Sequence, residues 1–510
     1  MTDFPQTIAG LLERGAADAT ALGAPGGTPL TYQALRTLVA DVRQALETRG
    51  IGPGDRVAIV LDNGPEMAAA FLSVGSAATA APLNPGYRSD EFEFYLTDLR
   101  AKLLIVARGK DSPSVEVATR LGVPIARLVP HPERGAGTFT LEFATDAAPS
   151  GTRPPVTPDD IALVLHTSGT TSRPKIVPLA HKNIAASASN IRKTLALTAN
   201  DRGLVIMPLF HIHGLIAALS APLSAGGEVC CSPGFNALTF FGWVDEVKPT
   251  WYTGVPTMHQ AILLRAAGNQ EIVNNHRLRF IRSSSSALPP TVIAELERVF
   301  GIPVVEAYGM TEAAHQMAAN PLPPGKRKPG TVGLPGGPDV EIMDDAGNLL
   351  PPDTVGEIVI RGPNVTSGYE NNPKANAEAY VNGWFRTGDQ GIKDAEGYIS
   401  LTGRLKEIIN RGGEKITPRE IDEVLMDHPA IAQALAFAMP HDKLGEEVGA
   451  AVVLKEGVSA TERDIRDFVA TRVADFKVPR KVLILGELPK GATGKLQRIG
   501  LAKRLGLLDA

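Results

Sequence analysis

Short apolar runs that alternate with helical segments constrain this chain most. Val57-Ala58-Ile59-Val60-Leu61, Leu103 to Val106 and Ile161-Ala162-Leu163-Val164-Leu165 are continuous apolar stretches. A strand with one wet face alternates polar and apolar residues, whereas a strand covered on both faces does not. Residues 65–75 and Glu91 to Leu99 read as helices between such runs. This order predicts parallel sheet covered by helices, an α/β architecture. Upstream, Thr31 is placed to cap a helix with Leu35, Leu38, Val39, Val42 and Leu46 on one face. That helix stops near Gly50, where Gly52-Pro53-Gly54-Asp55 turns the chain. The segment 130–157, rich in Gly, Pro and Thr, reads as a surface loop.

After Asp389 the texture changes to short strands and turns, then helices around 418–426 and 461–472 and strands around 433–438 and 449–454. This predicts a compact α+β module of about 100 residues. The 510 residues amount to about 3.4 lengths of ~150 residues, so more than one domain is expected.

Lys+Arg is 51 and Asp+Glu is 55, a net charge of −4, which gives no general reason to expect nucleic acid or an acidic membrane as partner. No run approaches the ~18 apolar residues of a membrane span, and MTDFPQTIAG lacks the pattern of a signal peptide. The two cysteines, Cys230 and Cys231, are adjacent, so they build neither a disulfide framework nor a four-ligand zinc site. A cytoplasmic enzyme is the expectation.

Six strings could carry chemistry. Thr167-Ser168-Gly169-Thr170-Thr171-Ser172-Arg173-Pro174-Lys175 follows a buried strand and holds five hydroxyls, a glycine and two cations. Hydroxyls, backbone N–H groups and Lys175 suit phosphate oxygens. It is not a Walker A loop, because Lys175 follows Pro174 and precedes Ile176. A solvated Ser/Thr loop reads the same way. In Arg282-Ser283-Ser284-Ser285-Ser286-Ala287 no serine sits in Gly-x-Ser-x-Gly, so a hydrolase nucleophile elbow is disfavoured. Tyr308-Gly309-Met310-Thr311-Glu312 offers a ring to stack a base, a hydroxyl, and a carboxylate for Mg2+. Taken alone, Tyr308 reads more often as a core aromatic. His211-Ile212-His213 is a poor metal pair without a nearby Cys or acidic partner, and a structural role suits His213 better. Asp389, after Thr387-Gly388, could accept hydrogen bonds from ribose hydroxyls or be a turn aspartate. Finally, Gly491 and Gly494 make an adaptable loop around Lys495, which is either a mobile cation or a solvated one.

In this order and spacing the strings resemble the adenylate-forming acyl-CoA synthetase superfamily, over essentially the whole chain. The resemblance implies an α/β protein with a large multi-layered N-terminal domain, 1–403, built of βα sheets, and a small α+β C-terminal domain, 404–510, on a hinge at Lys406. It implies that a carboxylate attacks the α-phosphate of Mg·ATP, and that CoA then takes the acyl group. Carried over by position, Thr167, Ser168, Gly169, Thr170, Thr171, Ser172 and Lys175 hold the β- and γ-phosphates. Tyr308 stacks on adenine, Thr311 contacts the α-phosphate, Glu312 ligates Mg2+, and Asp389 and Arg404 hold the ribose. Lys495 bridges the acid carboxylate and the α-phosphate, and Gly412-Gly413 approaches pantetheine. Many relatives have glycines where this chain has Ser172 and Ile176, so the phosphate loop is less permissive.

The strings around 166–175, 208–214, 251–257 and 311–322 resemble the oxalate–CoA ligase branch of plants and fungi. That resemblance implies a small polar acid, with His211, Ser284, Ser285 and His315 holding its second carboxylate. Malonate, a fatty or aromatic acid, and transfer to a carrier protein remain alternatives. The implied partners are small molecules, in a monomer or small homo-oligomer.

Overall fold

The computed structural model describes residues 5–144, 154–167, 174–489 and 496–507. They divide by packing into two compact units. The first comprises 5–144, 154–167, 175–339 and 361–377, and the second Pro174 with 340–360, 378–489 and 496–507.

Two mixed sheets organise the first unit. The seven-stranded sheet has Arg56–Val60, Thr79–Pro82, Leu103–Ala107, Ile125–Pro130 and Ile161–His166 as its parallel centre. Phe139–Phe143 and Ile176–Ala180 add antiparallel edges. The expected loop at 130–157 thus contains a strand, with Leu128 opposite Leu141. Its sequence FTLEF alternates as an edge strand should, and turn-rich flanks concealed it.

The helix Tyr32–Glu47 forms as its sequence predicts. The Thr31 hydroxyl accepts from the Ala34 N–H, and Leu35, Leu38, Val39, Val42 and Leu46 are buried. Each such side chain contributes about 1.5–3 kcal/mol of apolar burial.

The nine-stranded sheet sets up the chemistry. Its strands Arg202–Val205, Trp251–Gly254, Phe280–Ser283 and Val304–Met310 run parallel, with Thr253 beside Arg282 and Ser283 beside Glu306. Their carboxyl ends therefore share one edge, and loops leaving such an edge are where open α/β sheets bind ligands. Cys230 and Cys231 are buried in the strand Glu228–Cys231 of this sheet, as two small core residues.

The second unit holds most of a five-stranded sheet, which includes Gly356–Arg361, Trp384–Lys393 and Ile399–Arg404. It also holds a sheet built on Ile431–His441 and Gly445–Leu454. The helices Pro418–Met426 and Glu462–Ala470 bury Ile421, Leu425, Ile465 and Val469 against Val448 and Val452. Packing thus groups 340–360 and 378–403 with the C-terminal residues.

Candidate functional site

The ends of the candidate phosphate loop are pinned together. The strands Ile161–His166 and Ile176–Ala180 pair as far as His166 opposite Ile176. The Thr167 N–H then donates to the Lys175 carbonyl at 2.9 Å, and the Lys175 N–H donates to Thr167 Oγ1 at 3.1 Å. Ser168, Gly169, Thr170, Thr171 and Ser172 lie outside the described residues. Lys175 Nζ stands 4.3 Å from the Tyr369 ring centroid, within cation–π range. The Tyr369 hydroxyl donates to Glu312 Oε1 at 2.8 Å. One tyrosine thereby touches both the loop lysine and the candidate metal carboxylate.

Backbone constraint shapes the segment around Glu312. Strand Val304–Met310 pairs antiparallel with His315–Ala319 through a register shift at Tyr308 and Gly309. A Cβ on Gly309 would lie 2.0 Å from the His315 carbonyl oxygen, so only glycine fits. Thr311–Ala313 forms a 3-10 turn, and Ala314 and His315 follow with φ of 46° and 99°. Such values in residues with a Cβ mark strain, and strain of this kind clusters at functional sites. Asn364 holds the turn by donating to the carbonyls of Ala313 at 2.8 Å and Gln316 at 3.0 Å, while the Thr366 N–H donates to that of Glu312 at 2.7 Å. Glu312 is 6% exposed and Tyr308 7% exposed.

An imidazole–hydroxyl cluster occupies the strand ends. His213 opens a buried π-helix, His213–Ser220. Its Nδ1 lies 3.0 Å from Ser285 Oγ and its Nε2 2.7 Å from Thr253 Oγ1. The His315 ring stacks on it at 4.8 Å and 22°. His211, half-buried, accepts the His213 N–H on Nδ1 at 3.2 Å. Ser285 is half-buried at φ 74°. Ser284 is fully buried and donates its hydroxyl hydrogen to the Ala307 carbonyl at 2.8 Å, so its oxygen keeps only acceptor capacity.

In the second unit, Asp389 and Arg404 are cross-strand neighbours joined at 3.0 Å from Nε to Oδ1. Asp389 is 6% exposed, and Gly388 before it takes φ 75°. Buried Glu357 braces that turn, accepting from the Gly388 N–H at 2.8 Å and from Arg386 Nε at 2.5 Å. Lys406 is exposed in the 3-10 turn Leu405–Glu407. Gly412 and Gly413, at φ 60° and 98°, form the two-residue turn between Arg411 and Glu414, where a hairpin requires two left-handed residues. Lys495 lies outside the described residues.

The sequence profile of the AMP-binding enzyme family matches residues 12–370, and that of the AMP-binding enzyme C-terminal domain matches 420–495. The chain belongs to the AMP-binding enzyme family. It is 45% identical over 500 residues to the oxalate–CoA ligase of Arabidopsis thaliana, covering 96% of this chain and 97% of that protein. To the oxalate–CoA ligase of Saccharomyces cerevisiae it is 45% identical over 473 residues, covering 88% and 86%. The ATP-bound crystal structure of MatB from Rhodopseudomonas palustris is similar at a TM-score of 0.87 and 28% identity, over 99% of both chains. The large α/β part and small α+β part expected from the sequence are those of this fold.

In this AMP-binding enzyme the sequence motifs give no role to Tyr369, Asn364 or Glu357, place Thr253 only within the 251–257 string, and suit His213 to a structural role. Their contacts join residues distant in sequence: 57 positions separate Tyr369 from Glu312, and 40 separate His213 from Thr253. Among the described residues no helix is long and apolar enough to cross a membrane.

Proposed function

We propose that this chain is an ATP-dependent acid–CoA ligase whose acid is oxalate. What carries the reading is the imidazole–hydroxyl cluster of His213, His315 and Ser285 at the strand ends. It occurs in a chain 45% identical to an oxalate–CoA ligase over 96% of its length. A long apolar acid needs an apolar tunnel, whereas a second carboxylate needs hydrogen-bond donors.

In the first step one oxalate oxygen attacks the α-phosphorus of ATP. The bond from that phosphorus to the bridging oxygen breaks, and pyrophosphate leaves with the electron pair. In the second step the CoA sulfur attacks the acyl carbon, AMP leaves and the thiol proton is lost. The first step brings anion against anion, so positive charge must be waiting where negative charge accumulates. Lys175 serves the outer phosphates, and Lys495 serves the reacting carboxylate and α-phosphate. Thr311 contacts the α-phosphate, Tyr308 takes the adenine, and Asp389 with Arg404 takes the ribose hydroxyls. The Glu312 carboxylate fits Mg2+, which prefers one or two carboxylates plus phosphate oxygens. Magnesium, when bound with ATP, neutralises phosphate charge.

His211, Ser285 and His315 hold the second carboxylate. Ser284 supports the loop through Ala307 rather than donating to the acid. The thioester step needs a different arrangement, so 404–510 turns about Lys406, withdraws Lys495 and brings Gly413 toward pantetheine. The cytoplasm is the proposed location, which the buried thiols of Cys230 and Cys231 suit.

The experiment is pyrophosphate release with oxalate, malonate, acetate and benzoate, each with and without CoA. Oxalate-dependent release that needs CoA for turnover is expected. Release with a monocarboxylate and none with oxalate would overturn the substrate. Turnover without CoA but with a carrier protein would overturn the acceptor.

A further inference from the structure

The base of this cluster holds a buried cation that the reaction scheme does not use. Arg282 lies in the strand Phe280–Ser283, beside Thr253 in the next strand, and is 0% exposed. Its Nη1 donates to Thr253 Oγ1 and to His213 Nε2, each at 3.3 Å, and its Nη2 donates to Gln316 Oε1 at 3.3 Å. None of these partners is a carboxylate, and Arg282 Nε has no hydrogen-bond partner. Among the described residues no carboxylate lies within ion-pair distance of it. Burial lowers the guanidinium to about 9, so it is still charged at neutral pH. A buried charge without a counter-charge is costly, and a bound anion would offset that cost.

Arginine can only donate hydrogen bonds. Thr253 Oγ1, accepting from Arg282, directs its own hydrogen to His213 Nε2 at 2.7 Å. The Arg282 Nη1 contact also makes Nε2 an acceptor. A neutral imidazole then carries its proton on Nδ1 and donates it to Ser285 Oγ at 3.0 Å. Ser285, having accepted, keeps its hydroxyl hydrogen for another partner. It is half-buried at φ 74°, a conformation that serine rarely adopts unless its surroundings impose it.

We infer that Arg282 is a positioning residue for the non-reacting anionic group of the substrate. Through Thr253 it fixes His213 as the Nδ1–H tautomer, which turns the Ser285 hydroxyl into a donor toward that group. Its own charge favours an anion there. The inference rests on the proposed function only in that the substrate carries a second anionic group.

Two measurements test it. The first is a nitrogen-15 NMR spectrum of the histidine side chains in the wild-type protein, with His213→Gln for assignment. A neutral His213 protonated on Nδ1 is expected. Protonation on Nε2 would overturn the relay, whatever the substrate proves to be. The second is steady-state kinetics of Arg282→Gln, Arg282→Lys, Thr253→Val and Thr253→Ser with oxalate, with acetate as the acid lacking the second carboxylate, and with ATP. Losing one charge-assisted hydrogen bond corresponds to roughly 10- to 100-fold. Arg282→Gln and Thr253→Val should raise the KM for oxalate by about that factor while leaving the KM for ATP and the KM for acetate unchanged. Arg282→Lys and Thr253→Ser should recover most of the loss. Equal losses with oxalate and acetate, or no rescue by the conservative variants, would reduce Arg282 to a structural cation. If the wild type uses acetate but not oxalate, the substrate reading fails, and the histidine spectrum still decides the relay.

Discussion

The Tyr369 hydroxyl donates to Glu312 Oε1 at 2.8 Å, while Lys175 Nζ sits 4.3 Å from the centre of the same ring. The tyrosine thus links the acidic and the basic group that are proposed to serve adenylation. Tyr369→Phe keeps the ring for Lys175 and removes only the bond to Glu312. Hydrogen bonds to charged groups contribute about 1.5–3 kcal/mol, so oxalate-dependent ATP–pyrophosphate exchange should fall about 10- to 100-fold. Thioester formation from pre-made acyl-AMP should be nearly unchanged. An unaltered exchange rate would remove Tyr369 from the machinery.

Gly309 tests how tightly the segment between Tyr308 and Glu312 is built. An alanine there would put its Cβ 2.0 Å from the His315 carbonyl oxygen, and backbone cannot swing aside as a long side chain can. Gly309→Ala should lower stability by about 1–3 kcal/mol in urea unfolding. Adenylation should suffer more than that, because Tyr308 and Thr311 flank the distortion. A fully active, fully stable variant would mean that the register shift is not required.

Acid should weaken the first unit through His181. This residue is 1% exposed and its Nδ1 accepts the Ile8 N–H at 3.2 Å. Burial lowers its imidazole from 6.5 to about 4, so the folded chain keeps it neutral where the unfolded chain takes up a proton. Stability from this group is complete above pH 6.5 and is lost as pH falls toward 4. Between pH 7 and pH 5 the loss is about 2 kcal/mol. His181→Asn keeps an acceptor for Ile8 and cannot titrate, so its urea stability should fall by that much less over the same interval. An equal fall in both proteins would rule His181 out as the cause.

What the sequence made legible was local or came from motif order. The Thr31 cap and its five buried aliphatics lie on one helix, and the doubly buried strands announce themselves by failing to alternate. The strand at 139–143 was hidden because its flanking turns dominate the composition. Arg282 had no local signal of its own role, since one cation after an apolar run reads as the end of a strand. Its meaning comes from His213, 69 residues away, and Gln316, 34 residues away. His213 was read as structural, and the contacts that give it another role, to Thr253 and Ser285, exist only once the parallel strands are aligned.

Lys495 and Asp389 should separate the two half-reactions. Lys495 is proposed to touch the reacting carboxylate and the α-phosphate only while that bond forms. Lys495→Ala should therefore abolish ATP–pyrophosphate exchange while sparing thioester formation from pre-made acyl-AMP. Asp389 is proposed to hold the ribose, which is present in both steps, and its side chain is tied to Arg404 at 3.0 Å. Asp389→Ala should slow both half-reactions, by about 10-fold each for one lost charge-assisted bond. Stopped-flow measurement of each half-reaction in both variants makes the comparison. Equal impairment of the two steps in Lys495→Ala would end the idea that this lysine leaves before CoA reacts.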